Sequence, residues 1–339
     1  MKKIGGIFPI QKAKETENHF FENICPQNGE LKFLLSGRCA IYYALEDIKA
    51  SCEKKVAYLP LYTCETVVAP FKKAGFQLMF YSLSKNMTPI FQDEVLDKIG
   101  VISICGYFGF SDFDRNFIKK CKSKGIIIIE DTTHSILSAD GIDESCDYVV
   151  GSLRKWMGVA SGGFAIKNSG KFNLPLKKIH DQHLELRKLS IKNDDIDTFW
   201  EAEMLLREIF DSYESDEESV YIMKHADFSE ISAKRRENYE YLLNHFKSTP
   251  KIKVVFDSLP MGTVPSHFTL FCEERENIQA HLANLDIKTS VFWPVGPYIN
   301  LDGEEDTKYI YDHVLSITCD QRFDTADMQR ICDGLNSYN

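Results

Sequence analysis

Residues 126–134, Ile-Ile-Ile-Ile-Glu-Asp-Thr-Thr-His, combine a short apolar run with an acidic end. An apolar run of this length predicts a β-strand that is buried on both faces. On either side, strand-like segments alternate with amphipathic segments of helical spacing. The strand-like segments are 56–59, 77–81, 101–105, 147–151 and 161–166, and the helical ones are 37–51, 65–74 and 112–124. This alternation predicts an α/β fold with three layers, in which helices flank a mostly parallel sheet.

The pattern changes in the second half of the chain. Residues 171–250 are charged and indicate helices, and the acidic residues 211–218 predict a solvated loop. After Pro250 the segments are short and mixed, with strands at 253–256, 267–272 and 314–318 and helices at 274–284 and 324–336. That order is typical of an α+β unit. We therefore predict a large domain over residues 1–240 and a smaller C-terminal α+β domain over residues 241–339.

Composition narrows the class of protein. The 339 residues carry a formal net charge of −10, which argues against nucleic acid as a partner because phosphate binding needs a basic surface. No apolar run approaches the roughly 20 residues that span a bilayer. The ten cysteines are scattered without a C-x-x-C pair, so we expect a reduced, cytoplasmic protein with no metal site. The segment from Met1 to Ile10 is too short and broken for a signal peptide.

A lysine lies in the polar turn after the strand at 147–151. The turn contains Ser152, Arg154 and Lys155, and Gly162-Gly163 follow shortly after. A lysine at a strand exit can point into a cleft, where burial and a neighbouring arginine lower its pKa and make its amine a nucleophile. Taken alone, the segment is more typical of a surface lysine on a turn.

Asp131 follows the buried strand at 126–130, and His134 comes three residues later. In open α/β sheets ligands bind at the carboxyl ends of the strands. A carboxylate there can hold a protonated ring nitrogen, and the histidine can contact the same ring. The structural alternatives are a helix N-cap for Asp131 and a core residue for His134.

Ser36-Gly37-Arg38-Cys39-Ala40 begins the helix predicted over 37–51. Ser36 is a good N-cap, and the free N–H groups of a helix N-terminus bind phosphate. Ser152 could add its hydroxyl to the same phosphate. The possible phosphate site at 36–40 comes first along the chain, then Asp131 and then Lys155. This order suits pyridoxal 5'-phosphate, which carries a phosphate, a basic ring nitrogen and an aldehyde.

With these motifs the chain resembles the DegT/DnrJ/EryC1/StrS family of fold-type-I pyridoxal-phosphate enzymes, the sugar aminotransferases. The resemblance also includes Pro60-Leu61-Tyr62-Thr63 and Gly75, and it extends to Asp320-Gln321-Arg322-Phe323 near the C-terminus. It implies the fold-type-I transferase fold and a homodimer whose sites lie at the subunit interface. It also implies that Lys155 binds the cofactor as a Schiff base and moves the proton during amino transfer.

The remaining site residues follow from the same resemblance. Asp131 would pair with the ring nitrogen, and His134 would lie beside the cofactor. The contacts with the phosphate are expected from Gly37, Arg38, Cys39 and Ser152. Ser152 precedes Lys155 by three residues, whereas many members place this serine five before the lysine.

A second departure concerns the aromatic residue that many members stack on the cofactor. Cys64 occupies that position, so Tyr62, or one of Tyr107 and Phe108, is expected to stack instead. Aromatic core side chains are the alternative for all three.

The resemblance implies an aminotransferase that moves an amino group from glutamate to a keto sugar carried on a nucleotide, by a ping-pong mechanism. Sugars of this kind are used in polysaccharide biosynthesis. Candidates for binding the donor carboxylate or nucleotide phosphate are Arg154, Arg187, Lys188 and Arg322. The alternatives are a sugar dehydratase and a non-catalytic ligand-binding relative. Dehydratases of this family replace the Schiff-base lysine by histidine, so Lys155 favours amino transfer.

Overall fold

A computed structural model describes residues 2–338 and contains two sheets. The larger sheet has the strand order β1-β8-β7-β6-β5-β2-β3-β4. Its strands are β1 (Glu30–Leu34), β2 (Val56–Pro60), β3 (Gln77–Leu83), β4 (Pro89–Ile90), β5 (Val101–Cys105), β6 (Ile127–Asp131), β7 (Tyr148–Ser152) and β8 (Gly163–Lys167). Strands β3, β2, β5, β6 and β7 run parallel, whereas β8, β1 and β4 pair antiparallel with their neighbours.

The central strands are buried on both faces, as their apolar runs predict. In β6, Ile128 packs into the core on one face of the sheet, and Ile129 packs into the core on the other. Val149 and Val150 of β7 divide between the same two cores. Successive side chains of a strand point to opposite faces, so only a sheet covered on both sides buries such a run completely.

Helices cover both faces and connect the parallel strands. The helices of the first half are α1 (Phe20–Ile24), α2 (Gly37–Lys49), α3 (Glu65–Lys73) and α4 (Arg115–Ser123). Four more helices follow the larger sheet: α5 (Asp181–Asn193), α6 (Ile196–Ile209), α7 (Glu217–Lys224) and α8 (Phe228–His245). The predicted three-layer α/β fold with a mostly parallel sheet is confirmed.

The smaller sheet is antiparallel, with the order β11-β12-β10-β9. Its strands are β9 (Ile252–Val254), β10 (Phe268–Cys272), β11 (Thr289–Ser290) and β12 (Val314–Ile317), and α9 (Arg275–Asn284), α10 (Glu305–His313) and α11 (Thr325–Asn336) lie between and after them. Ile4 of the N-terminal segment bridges to Ile287 beside this sheet and joins its apolar core. The proposed domain limit at residue 240 stays a prediction.

The acidic stretch 211–218 was predicted to be a solvated loop, and its carboxylates make more contacts with the protein than its charge predicts. Asp216 is the N-cap of α7, and its Oδ2 accepts a hydrogen bond from Ser161 Oγ at 2.5 Å. Asp211 accepts a hydrogen bond from Lys177 Nζ at 2.7 Å. The predicted loop is present over residues 211–216, but it is partly buried and α7 begins at Glu217. Capping and ion pairing give these carboxylates partners that composition alone does not reveal.

Residues 2–338 include no helix that is long and apolar enough to cross a membrane. Within the same residues, no group of three or more histidine, cysteine or acidic side chains could hold a metal ion. All ten cysteines are free thiols.

Candidate active site

A cavity of about 830 Å³ opens at the carboxyl ends of the parallel strands, between the two sheets. Asp131 ends β6 and Ser152 ends β7, so the strand directions bring both side chains to its wall. The N-terminus of α2 and the helix α6 form further walls. Six of the predicted site residues line it: Gly37, Arg38, Asp131, His134, Ser152 and Lys155.

The start of α2 forms the expected cradle. Ser36 caps the helix, and its Oγ accepts a hydrogen bond from the Cys39 N–H at 3.2 Å. Gly37 lies close to Ser152, since a Cβ on this glycine would be 3.1 Å from the Ser152 Cβ. The free N–H groups of the first turn and the Ser152 hydroxyl therefore face one region of the cavity, which suits a phosphate. The Cys39 side chain is fully buried and does not line the cavity. It therefore does not lie where it could make the predicted contact with the phosphate.

The Arg38 side chain reaches from α2 toward the start of α3. Its Nη2 lies 3.5 Å from Glu65 Oε2, and its guanidinium lies over the Phe210 ring at 5.3 Å. Burial lowers the pKa of Arg38, and its three guanidinium nitrogens lack a hydrogen-bond partner among residues 2–338. Since buried donors are rarely left unpaired, this side chain suits an anionic ligand.

Asp131 is buried at the end of β6, and its Oδ1 accepts a hydrogen bond from the Thr133 N–H at 3.0 Å. The helix N-cap considered as an alternative is not formed, because β6 is followed by a turn, and Asp131 stabilises that turn instead. Burial raises the pKa of Asp131, and the neighbouring Lys155 partly offsets this. A buried carboxylate gains from a cationic partner, which a protonated pyridine nitrogen provides.

The adjacent Glu130 does not line the cavity and is bonded to other parts of the protein core. Its Oε2 accepts hydrogen bonds from the Asp143 N–H at 2.6 Å and from Cys146 Sγ at 3.1 Å. Complete burial raises the pKa of Glu130 to about 8. The carboxyl group is therefore protonated in the folded protein at neutral pH.

Glu130→Gln is expected to remove a pH dependence of stability. The folded-state pKa of about 8 lies above the ordinary value of 4.5, so ionisation favours the unfolded chain between these pH values. Stability of the unmodified protein should fall as pH rises through this window, and the glutamine variant should lose this fall and melt several degrees higher at pH 8. Melting temperatures from pH 5 to 8.5 measure it. Glu144→Gln, at an exposed position, is the control and should retain the slope.

Lys155 ends a short 3₁₀ turn, Leu153–Lys155, that follows β7. Its side chain is accessible, but the surface that it exposes faces the cavity, and Nζ lies 5.2 Å from the centre of the Phe292 ring. Enclosure lowers the pKa of Lys155, and the charges of Arg154 and Arg187 lower it further. The surface-lysine alternative does not describe this position, because the exposed part of the side chain lines the cavity. A lowered pKa leaves more of the amine unprotonated and reactive.

His134 lies among aromatic side chains at the cavity wall. Its ring centre is 5.4 Å from Trp293, 5.4 Å from Phe108 and 5.6 Å from Phe292. Burial and the charge of Lys155 lower the pKa of His134 to about 3, so the imidazole is neutral. Neither ring nitrogen has a hydrogen-bond partner in residues 2–338, so the ring can still bond to a ligand.

Tyr62 is fully buried behind the cavity and does not line it. It packs against Tyr107, Trp293 and Tyr311, with ring centres 5.6, 5.4 and 4.9 Å away. The core-aromatic alternative describes this position. Cys64, two residues after Tyr62, lines the cavity instead.

Sequence reasoning missed several residues of the cavity. His267, Phe292 and Trp293 come from the smaller sheet and the loop after β11, and Glu203 comes from α6. The N-terminal segment 5–8 also lines the cavity, held by Arg322, which donates to the Ile7 carbonyl at 2.9 Å. No local motif marks these residues, because only the packing of distant segments brings them together.

The four basic residues predicted to bind the donor carboxylate or a nucleotide phosphate do not all lie at the cavity. Arg154, Arg187 and Arg322 line the cavity, and Lys188 does not. Lys188 pairs with Glu218 at 2.6 Å on the outer side of α5. Arg322 forms a two-point ion pair with Asp320, with Nε–Oδ1 at 2.9 Å and Nη2–Oδ2 at 2.7 Å.

The residues present fit pyridoxal phosphate. A helix N-terminus with free N–H groups, a buried carboxylate with no ion-pair partner among residues 2–338 and an amine of lowered pKa line one cavity. Those are the three groups that the phosphate, the ring nitrogen and the aldehyde require.

Several solved structures resemble this fold. S. venezuelae DesV, solved in complex with a ketimine intermediate, has a TM-score of 0.69 and 13% identity over 95% of this chain and 87% of that chain. Helicobacter pylori PseC, an aminotransferase involved in the biosynthesis of pseudoaminic acid, has a TM-score of 0.69 and 12% identity over 99% and 98%. The aminotransferase TlmJ from Streptoalloteichus hindustanus has a TM-score of 0.67 and 13% identity over 98% and 97%. At these identities the likeness shows the fold.

Sequence comparison identifies the family. No curated protein matches the sequence. The model of the DegT/DnrJ/EryC1/StrS aminotransferase family matches residues 112–336, about two thirds of the chain. The match includes Asp131, His134 and Lys155, whereas the motifs at 36–40 and 60–63 lie outside it. The predictions of a pyridoxal-phosphate-dependent aminotransferase and of its cofactor are confirmed, and the chain belongs to the DegT/DnrJ/EryC1/StrS aminotransferase family.

Proposed function

We propose that this enzyme transfers an amino group from glutamate to a keto sugar, carried on a nucleotide, by a ping-pong mechanism through Lys155. The observation that carries the proposal is the environment of Lys155. Its amine has a lowered pKa and lies in the same cavity as Asp131 and the N-terminus of α2. The sugar acceptor is supported by the sequence resemblance and by the similar fold of CalS13 from Micromonospora echinospora, a sugar aminotransferase.

Different residues would bind the phosphate and the ring nitrogen of the cofactor. The first N–H groups of α2 at Gly37 and Arg38, with the Ser152 hydroxyl, would hold the phosphate. Asp131 would keep the ring nitrogen protonated. Pyridoxal phosphate, when bound, supplies an electron sink for the bond broken at the donor's α carbon.

Lys155 would move the proton. A general base must be unprotonated at the operating pH, and enclosure in the cavity lowers the pKa of this amine toward that condition. Its Nζ would take the proton from the donor's α carbon and deliver it to the cofactor's aldehyde carbon.

His134 would position the cofactor ring without adding a charge. The imidazole is neutral and buried, with both nitrogens free of partners among the described residues. One nitrogen can therefore accept or donate a hydrogen bond at the ring's edge. The aromatic side chains of Phe292 and Trp293 hold the imidazole in place.

The absorbance of purified protein loaded with pyridoxal phosphate, before and after addition of glutamate, tests the proposal. A near-visible band that shifts on glutamate addition, and returns when a nucleotide-linked keto sugar follows, is the expected result. A band that ignores glutamate would contradict the donor, and a return only with free keto sugars would contradict the nucleotide. A protein that forms no such band would overturn the role of Lys155.

We further propose a homodimer in the cytoplasm. Support for the dimer comes from the family resemblance and from Trp200 and Met204, which leave about half of their surface exposed on the cavity-lining helix α6. The ten free thiols support a reducing compartment. Analytical ultracentrifugation of the loaded enzyme measures the oligomeric state, and a monomer at assay concentrations would contradict the dimer.

A further inference from the structure

A group of buried charges lies beside Lys155, apart from the phosphate cradle. Arg154 comes from the 3₁₀ turn after β7, Arg187 from α5 and Glu203 from α6, and all three line the cavity. Glu203 Oε1 lies 3.2 Å from Arg154 Nη1 and 3.7 Å from Arg187 Nη1. One carboxylate is thus shared between two guanidinium groups.

The charges in this group do not balance. Two guanidinium cations and one carboxylate leave one positive charge uncompensated. The nearby His183 does not alter this count, because burial lowers its pKa to about 3 and it stays neutral. Arg38 pairs with a different carboxylate, Glu65, at 3.5 Å, and Arg207 approaches the same Glu65 oxygen at 4.0 Å. Burial and the charge of Arg154 lower the pKa of Arg187 to about 9, and Glu203 only partly offsets them.

The hydrogen bonds of the group are incomplete as well. Arg187 is 5% exposed, yet its Nε and Nη1 have no hydrogen-bond partner in the part of the chain described. Arg154 Nη1 also lacks one. The Phe199 ring covers the guanidinium of Arg187 at 4.6 Å, so the unpaired nitrogens are the polar edge left for a ligand. Buried donors left unpaired are costly, so the site is built for an acceptor.

We propose that Arg154 and Arg187, oriented by Glu203, bind one carboxylate of the amino donor. A single carboxylate supplies the one missing negative charge and two acceptor oxygens that match a guanidinium edge. A diphosphate would bring more than one negative charge into this buried group. The inference rests on the proposed function for its donor, but the subsite itself is defined by the charges of this chain.

The position of the group supports this assignment. Arg154 precedes Lys155 directly, and the charges of Arg154, Arg187 and Glu203 all act on the Lys155 amine. The donor's amine must reach the point where Lys155 holds the cofactor, so its carboxylates lie near the same place. Lys188, the next residue along α5, points to Glu218 and offers a matched control.

Calorimetric titration of the loaded enzyme with glutarate tests the subsite. Glutarate has the two carboxylates of the donor but no amine, so it binds without turnover. We expect Arg187→Met to weaken glutarate binding by about 30-fold or more, as the loss of one partner from a buried charge pair does. Lys188→Met should leave binding unchanged. Arg187→Lys should show an intermediate loss, because it retains the charge and loses the two-point geometry. Melting curves and the cofactor band of each variant check the fold.

The outcomes separate this inference from the proposed function. Equal glutarate binding by the unmodified enzyme, Arg187→Met and Arg187→Lys would overturn the subsite. So would no glutarate binding by the unmodified enzyme, or weakened binding of inorganic pyrophosphate in Arg187→Met with glutarate unaffected. If the glutarate pattern holds while glutamate leaves the cofactor band unchanged, the carboxylate subsite stands and the proposed donor fails. If glutamate reacts with an unchanged KM in Arg187→Met, the proposed function stands and the subsite fails.

Discussion

Lys155→Ala is expected to lower the rate of amino transfer by about 10³-fold or more while the protein stays folded. The substitution removes both the amine that would hold the cofactor and the base that would move the proton. Little stability should be lost, because the side chain faces the cavity and the hydrogen bonds of residues 2–338 include none from Nζ. Turnover with glutamate and a keto sugar measures the activity, and melting temperature measures the fold.

Lys119→Ala is the matched control for this prediction. Lys119 lies on α4, where it is exposed and far from the cavity lining. It should retain full activity and the cofactor's absorbance band. Turnover by Lys155→Ala within about tenfold of the unmodified enzyme would contradict the assignment of Lys155 as the reactive amine.

Asp131→Asn is expected to lower kcat by roughly 30- to 1,000-fold, equivalent to about 2–4 kcal/mol, the cost of removing one partner from a buried charge pair. The neutral amide cannot stabilise a protonated ring nitrogen, so the cofactor becomes a poorer electron sink. Cofactor binding should persist through the phosphate contacts. Single-turnover rates with glutamate measure the effect, and Asp312→Asn at an exposed site is the control.

The same substitution should not destabilise the cofactor-free protein. Burial raises the pKa of Asp131 in the folded state, so at neutral pH its ionised form opposes folding. Asparagine removes that cost and keeps the acceptor for the Thr133 N–H. A melting temperature equal to or above that of the unmodified protein, together with lost activity, is the expected pair of results. A large drop in both would indicate a structural role for Asp131.

The sequence predicted the larger sheet well because each parallel strand is a local signal. The predicted strand at 101–105 matches β5, and the one at 126–130 lies within one residue of β6. Local signals failed at β1 and α10, which carry neither a clear apolar run nor a clear helical stripe. β1 lies at the edge of the larger sheet, where β8 covers one side and a bridge from Leu34 to Glu214 covers part of the other. Four of its five residues are half-buried, so they give no continuous apolar pattern.

The candidate site divides in the same way. Asp131, Ser152 and Lys155 follow strands of the parallel sheet, so their meeting at one edge follows from sequence and topology together. Cys39 and Tyr62 carry motif positions, but the packing around them buries both side chains away from the cavity. A motif gives a residue's place along the chain, whereas the direction of its side chain depends on its neighbours.

The sequence by itself determined the class of fold, the strand ends that carry Asp131 and Lys155, and the resemblance that identifies the cofactor. Only the tertiary structure decided that Arg187 and Glu203 join Arg154, and that Lys188 does not. It also decided that His134 lies among aromatic side chains from the smaller sheet's loops. The physical reason is the sequence separation of the interacting residues. Strand and helix patterns arise from neighbours along the chain, whereas burial and charge pairing arise from segments that meet only on folding.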